Sequence, residues 1–284
     1  MTAQVHSIYD LEQDYRTFST ATSDVALDLG WWLPKTREFI RPLVPGELCT
    51  IMADTGVGKS SCLQNIAKSA RDLDILFFEM ELPGTMVFER FAAMSSQLPQ
   101  ATIEATYKAD CQIALLGIDH IYTCDKSRLK VEDMEEIIMG AAREKIGTLP
   151  QVVMVDYIGL MDSKGSSKRY ERISDSAEGL KVLAKNTNTI VVCATQIHRK
   201  PESEGQDELF LHDAKDSSSI EASAGLLLGA WRDPEDSEIL YIKILKNTKG
   251  KAGEIFKCSF NGATMTITEY HEASEIIAAL EDMP

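Results

Sequence analysis

The sequence predicts an α/β fold: a mainly parallel central sheet flanked by helices, with an antiparallel extension at its C-terminal end. Three observations predict it. Short apolar runs alternate with segments of helical period from Val44 to Ala194, the pattern of right-handed βαβ units. A glycine-bearing loop, Ala53-Asp-Thr-Gly-Val-Gly-Lys-Ser60, falls between the first such run and the first such helix, which is where a phosphate-binding loop has to sit. Beyond residue 220 the helices stop, and apolar runs follow one another across short turns as antiparallel strands do.

The elements follow in order. Residues 1–43 are expected to form an N-terminal arm or linker. Within it, Ser7 to Ser19 can make a short amphipathic helix with Ile8, Leu11 and Tyr15 on one side. The adjacent Trp31 and Trp32 read as a packing anchor, since large aromatics dominate burial. Residues 44–270 form the core. Strands are expected at Leu48–Ala53, Ile75–Met80, Ile121–Cys124, Val152–Val155 and Ile190–Ala194. Between them, Lys59–Arg71, Gly84–Ser96, Val131–Ile146 and Ile173–Asn186 have helical period, the third with Ile137, Ile138, Ala141 and Ala142 facing inward. The extension reads as strands at Leu226–Ala230, Ile239–Leu245, Ile255–Phe260 and Thr264–Thr268, turning at Asn247–Gly250 and Asn261–Gly262. Residues 271–284 are an acidic tail, expected to be a solvated helix.

Composition narrows the function classes. The 284 residues carry 29 Lys and Arg against 44 Asp and Glu, a net charge of −15, with 44% hydrophobic residues. That profile excludes low complexity and wholesale disorder. No apolar window is long enough to cross a membrane, and no basic start followed by an apolar run marks a secretory signal. Six cysteines without a C-x-x-C pair suit reduced thiols, so a cytoplasmic location is expected. The acidic total argues against coating nucleic acid over the whole surface and leaves room for a local basic channel.

The loop carries the clearest chemistry. Asp54, Thr55, Gly56, Val57 and Gly58 can turn backbone N–H groups toward phosphates, and the helix starting at Lys59, Ser60 and Ser61 presents its free donors and positive dipole end. Lys59 would reach the β- and γ-phosphates of ATP, and the Ser60 hydroxyl would ligate Mg²⁺. Ala53 stands at the usual first glycine, small for small. Hydrolysis needs more than a cradle. Val152-Val-Met-Val-Asp156 ends a buried strand on an acid suited to the Mg²⁺ shell. Glu79 and Glu81 both qualify to activate the attacking water, because an extended segment puts residues two apart on one face. Glu81, just before Leu82-Pro83, is preferred, and Glu79 stays a candidate. Gln196 ends the strand from Ile190 with an amide able to sense the γ-phosphate. Residues 163–172 hold Lys164, Lys168, Arg169 and Arg172 against one acid, Glu171, a basic loop able to track a single strand. Arg199 joins them from a longer, mixed-charge loop after Gln196.

A loop of this kind, then Glu, Asp and Gln each closing a later strand, is the order of a RecA-like P-loop NTPase. The particular words resemble the C-terminal domain of replicative DnaB-type hexameric helicases. They are Val44-Pro-Gly-Glu-Leu48, Met80-Glu-Leu-Pro83, Val155-Asp-Tyr-Ile-Gly-Leu-Met161, Gly179-Leu-Lys-Val-Leu-Ala-Lys185, Thr195-Gln-Ile-His-Arg199, Asp216-Ser-Ser-Ser-Ile-Glu221, Trp231-Arg-Asp233 and Lys246-Asn247. The resemblance implies a ring of ATPases acting in DNA replication, with ATP and Mg²⁺ at subunit interfaces and single-stranded DNA in the channel. The basic loop would then project toward the ring centre, and other replication proteins become possible partners. It implies Glu81 as the catalytic carboxylate, Gln196 as the coupling residue, and Lys246 as a cation reaching the neighbour's γ-phosphate. Two departures stand out. The family's arginine two residues after that lysine is Thr248 here, with Lys249 and Lys251 nearby as substitutes, and only about 43 residues precede the core. Two other functions share these residues: a filament-forming RecA/RadA-like recombinase or mediator, and a regulatory ATPase without nucleic-acid work.

Overall fold

The computed structural model describes residues 7–9, 11–12, 15–16, 19, 25–163, 169–197, 208–211 and 218–272. Lys164, Lys168 and Arg199 lie outside them, as does the tail beyond residue 272.

The chain builds β1 (Leu48–Ala53), α1 (Lys59–Ser69), β2 (Ile75–Glu79), α2 (Gly84–Ser96), α3 (Gln100–Lys108), β3 (Ile121–Cys124) and α4 (Val131–Ile137), which runs on through a π turn to Ile146. There follow β4 (Val152–Asp156), α5 (Arg169–Thr187), β5 (Ile190–Gln196), the short α6 (Ser218–Ser223), β6 (Leu226–Arg232), β7 (Ile239–Asn247), β8 (Ile255–Asn261) and β9 (Thr266–Glu269). The strands form one sheet in the order β3-β2-β4-β5-β1-β6-β7-β8-β9. Pairing is parallel from β3 to β6 and antiparallel from β6 to β9. No helix among the described residues is long and apolar enough to cross a membrane.

Alternation along each strand splits the core in two. Cys49, Ile51 and Ala53 of β1 and Val152 and Met154 of β4 join α1 and α2 on one face. Leu48, Met52, Val153 and Val155 join α4, α5 and α6 on the other. Central strands covered on both faces read as unbroken apolar runs, which is why β1, β2, β4 and β5 were visible in the sequence.

Three details depart from the sequence reading. Residues from Val25 pack on the core: Leu27, Leu29, Leu33, Ile40 and Leu43 are buried with the first cluster, and Leu27 and Leu43 exchange backbone hydrogen bonds. Trp32 is buried and its indole N–H donates to the Ile267 carbonyl at 3.0 Å, whereas Trp31 is exposed. In α4 the buried stripe is Met134, Ile138 and Ala142, spaced by four, with Ile137 partly buried against the same cluster, and Ala141 faces out. The π turn over Ile138–Ala142 adds a residue to that turn and so rotates Ala141 off the inner side.

Candidate nucleotide-binding site

The C-terminal ends of β1, β2, β4 and β5 lie side by side, and ligands of open parallel sheets bind outside such ends. The loop from Asp54 to Gly58 leaves β1 there and enters α1. Gly58 has φ +118°, a left-handed conformation that a side chain would strain, and it turns the chain directly into the helix. Lys59 is buried, and its amino group donates to the Asp54 carbonyl at 2.9 Å, across the mouth of the loop. Burial pulls the Lys59 pKa below its usual value, opposed by the carboxylates of Asp156, Glu81 and Asp54. Gln196 pairs in register with Ala53, and its amide N–H donates to the Thr55 hydroxyl at 2.5 Å. The Gln196 amide and the loop are therefore already in contact.

Asp156 is buried, and neither carboxylate oxygen has a hydrogen-bond partner of good geometry. Burial pushes its pKa up to about 6, opposed by the facing Ser60 hydroxyl and raised further by Glu81. Two orphaned oxygens beside a serine hydroxyl at the first turn of α1 fit the outer shell of a hydrated divalent cation. Glu79 is its strand neighbour. That side chain is also buried, and burial, then Asp156, push its pKa up to about 7. Glu81 is exposed and lies close enough to Lys59, Asp156 and Tyr157 to influence all three. Lys59, Ser60, Glu81, Asp156 and Gln196 thus converge at one end of the sheet, with Glu79 behind them.

Arg232, which the sequence offers only within Trp231-Arg-Asp233, braces the loop. Its guanidinium donates to the Val57 carbonyl at 2.8 Å and to the Ser237 carbonyl at 2.8 Å. It also lies 3.7 Å from the centre of the Phe260 ring. A Cβ on Gly58 would stand 3.4 Å from the same guanidinium. The signal in the sequence was weak, because 175 residues separate Arg232 from Val57.

Lys246 falls elsewhere. It pairs with Leu227 near the start of β6, and its amino group donates to the Glu221 carbonyl of α6. The turn after it is tied to the beginning of β1: Thr248 donates to the Gly225 carbonyl, whose own N–H binds Leu48. Leu48 and Ala53 stand at opposite ends of β1, about 17 Å apart at strand rise. Lys246 is therefore near the sheet end away from its own loop. Lys249 forms an ion pair with Glu47 at 2.6 Å, while Lys251 is exposed and has no ion pair among the described residues. Arg169 is exposed and Arg172 half-buried, both on the first turn of α5.

The family described as the DnaB-like helicase C-terminal domain matches residues 35–269, a span holding every site residue named above. The chain belongs to this family. Among DnaB relatives, the replicative DNA helicase DnaB of Buchnera aphidicola subsp. Schizaphis graminum is 29% identical over 238 residues, covering 78% of this chain and 50% of the relative. The chain spans about half the length of the curated relatives it matches. A solved structure of an ATPase domain superposes with a TM-score of 0.77 at 18% identity, covering 94% of this chain and all of that one. A DnaB-like replicative helicase, solved in a study of its interactions with primase, gives 0.75 at 18% identity over 92% of this chain and 68% of that one. At such identities the two likenesses show a shared fold.

Proposed function

We propose that this DnaB-family chain is an ATP-driven single-stranded DNA translocase, a helicase motor of replication. It would work as a homo-oligomeric ring, a hexamer, with ATP cleaved between subunits. One observation carries the reading: the cradle and the carboxylates occupy one end of the sheet, while Lys246 and the turn with Lys249 and Lys251 lie toward the other. A site split in this way is completed by a second copy.

The roles follow from the surroundings. Backbone N–H groups of the loop and of the first turn of α1 bind the phosphates. Lys59 exchanges the Asp54 carbonyl for a phosphate oxygen, a stronger, charge-assisted bond. Ser60 and Asp156 would hold Mg²⁺, whose charge would offset that of the phosphates. Glu81, exposed to the cradle, accepts the proton of the attacking water. Arg232, stacked on Phe260, keeps the loop closed from behind. Gln196 reports phosphate loss by releasing or gripping Thr55. Lys246 stabilises the neighbour's γ-phosphate. With Lys249 held by Glu47, Lys251 is the better placed to supply a second charge, and turnover is slower than an arginine would give. Lys164, Lys168, Arg169, Arg172 and Arg199 track the strand's phosphates.

The test is ATP turnover with and without single-stranded DNA at low salt, with particle mass measured on the same sample. Several-fold stimulation in a six-subunit particle supports the proposal. Turnover indifferent to DNA favours a regulatory ATPase, and open filaments in electron micrographs favour a recombinase.

A further inference from the structure

Two carboxylates follow one another at the end of β2, and the structure gives them opposite surroundings. Glu81 is exposed and close enough to Lys59 and Asp156 to influence both. Glu79 is fully buried. Its Oε1 accepts the backbone N–H of Glu81 at 2.9 Å and that of Leu82 at 3.0 Å. The N–H just before them in sequence, that of Met80, donates to the Asp156 carbonyl at 3.0 Å. Three successive N–H groups after β2 are therefore held, two of them by one side chain. Oε2 has no partner, and the strand register sets Glu79 beside Asp156.

The Glu79 side chain adds rigidity: one oxygen holds both amides, and breaking those bonds would leave them unpaired. The peptide that carries Glu81 cannot rotate without breaking them. We propose that Glu79 is a positioning residue, its carboxylate gripping the N–H groups of Glu81 and Leu82 and so fixing where the Glu81 side chain projects over the phosphate loop. This rests on the proposed function and deepens it by dividing labour between the two acids. Glu81 takes the proton, and Glu79 stays behind the turn without touching nucleotide. A base misplaced by about 1 Å loses roughly a hundredfold in rate, so a brace on its backbone has a measurable consequence.

The experiment uses the full chain. Glu79→Gln keeps an oxygen where Oε1 stands and is expected to retain turnover within about threefold. Glu79→Ala removes the acceptor and is expected to lower kcat by about ten- to a hundredfold. Its affinity for a fluorescent ADP analogue should move by less than about twofold, because the cradle is untouched. Hydrogen exchange of the Glu81 and Leu82 amides should accelerate in Glu79→Ala and stay slow in Glu79→Gln. If Glu79→Ala does not fold, Glu79→Asp, whose carboxylate is drawn back by one methylene, should show the same loss of kcat with affinity kept. The inference is overturned if Glu79→Gln is as inactive as Glu81→Gln, which would make Glu79 the base. It is also overturned if the Ala or Asp variant turns over at the wild-type rate, if affinity falls in step with kcat, or if exchange at the two amides is unchanged. No turnover in the unmodified chain, or full turnover in Glu81→Gln, sinks the proposed function itself. Turnover stopped by Glu81→Gln yet indifferent to every change at Glu79 sinks only the brace.

Discussion

Replacing Asp156 with Asn should make the nucleotide-free protein more stable at alkaline pH while removing its function. The Asp156 carboxyl is buried, has no hydrogen-bond partner of good geometry, and has a pKa pushed up from 3.8 to about 6. A raised acid pKa means that the folded state binds more protons than the unfolded one between those values, so stability falls as pH rises through that window. At about 1.4 kcal/mol per pH unit, a rise of about two units costs the ionised protein roughly 3 kcal/mol at pH 8 and about half of that at pH 5. Asn does not ionise and escapes the penalty, though its buried amide carries a cost of its own, about 1–3 kcal/mol if unpaired. The pH dependence of the difference is therefore the safe quantity. The variant's stability relative to wild type should grow by about 1–2 kcal/mol from pH 5 to pH 8. Glu79 adds to this in the same direction, because Asp156 is among the causes of its own raised pKa of about 7. Urea denaturation of both proteins, without nucleotide, at the two pH values measures it. A difference that is flat with pH, or that shrinks as pH rises, would refute the claim that Asp156 is an uncompensated buried charge. With Mg²⁺ and nucleotide present the order should reverse, since only the carboxylate gains from the cation.

Other substitutions separate binding from cleavage. Lys59→Ala should weaken ATP binding by about ten- to a hundredfold, the worth of a charge-assisted bond, read by equilibrium titration. Glu81→Gln should leave affinity within about twofold and reduce turnover by about a hundredfold or more, read as a loss of kcat alone. Arg232→Ala breaks the bond to the Val57 carbonyl and the stack on Phe260, and should lower nucleotide affinity about tenfold; unchanged affinity would show that the loop holds its shape unaided. The double change Arg169→Ala and Arg172→Ala should flatten the log–log salt dependence of single-strand binding by about 0.7 for each phosphate that is no longer neutralised, and an unaltered slope would place the channel elsewhere.

Much of this was legible in the sequence because the signals were local. A buried parallel strand is an apolar run, and the glycine-bearing loop falls at a fixed spacing between such a run and a helix, so β1 to β5 and the position of that loop could be read directly. What escaped depended on distant partners. α3 buries only Ile103, so its 3.6-residue period had no apolar stripe to reveal it. Leu27 and Leu33 look like any leucines in a mixed segment until the core they fill is assembled. Glu79 and Glu81 could not be told apart by alternation, which treats both as one face of an extended chain. The structure separates them because β2 stops at Glu79 and the next residues turn, leaving one acid inside and the other out. Arg232 acts on a loop that only the folded sheet brings to it.

The shared site is tested most directly by mixing. Lys59→Ala lacks a working cradle and Lys246→Ala lacks the cation offered to a neighbour, so each alone should be nearly inactive. Subunits of the two variants, exchanged in equal amounts, place an intact cradle against an intact Lys246 at about a quarter of interfaces. Turnover in the presence of single-stranded DNA should therefore reappear at up to about that fraction of wild type. If mixing restores nothing although the subunits demonstrably exchange, or if Lys246→Ala alone is fully active, the site is not completed by a second copy.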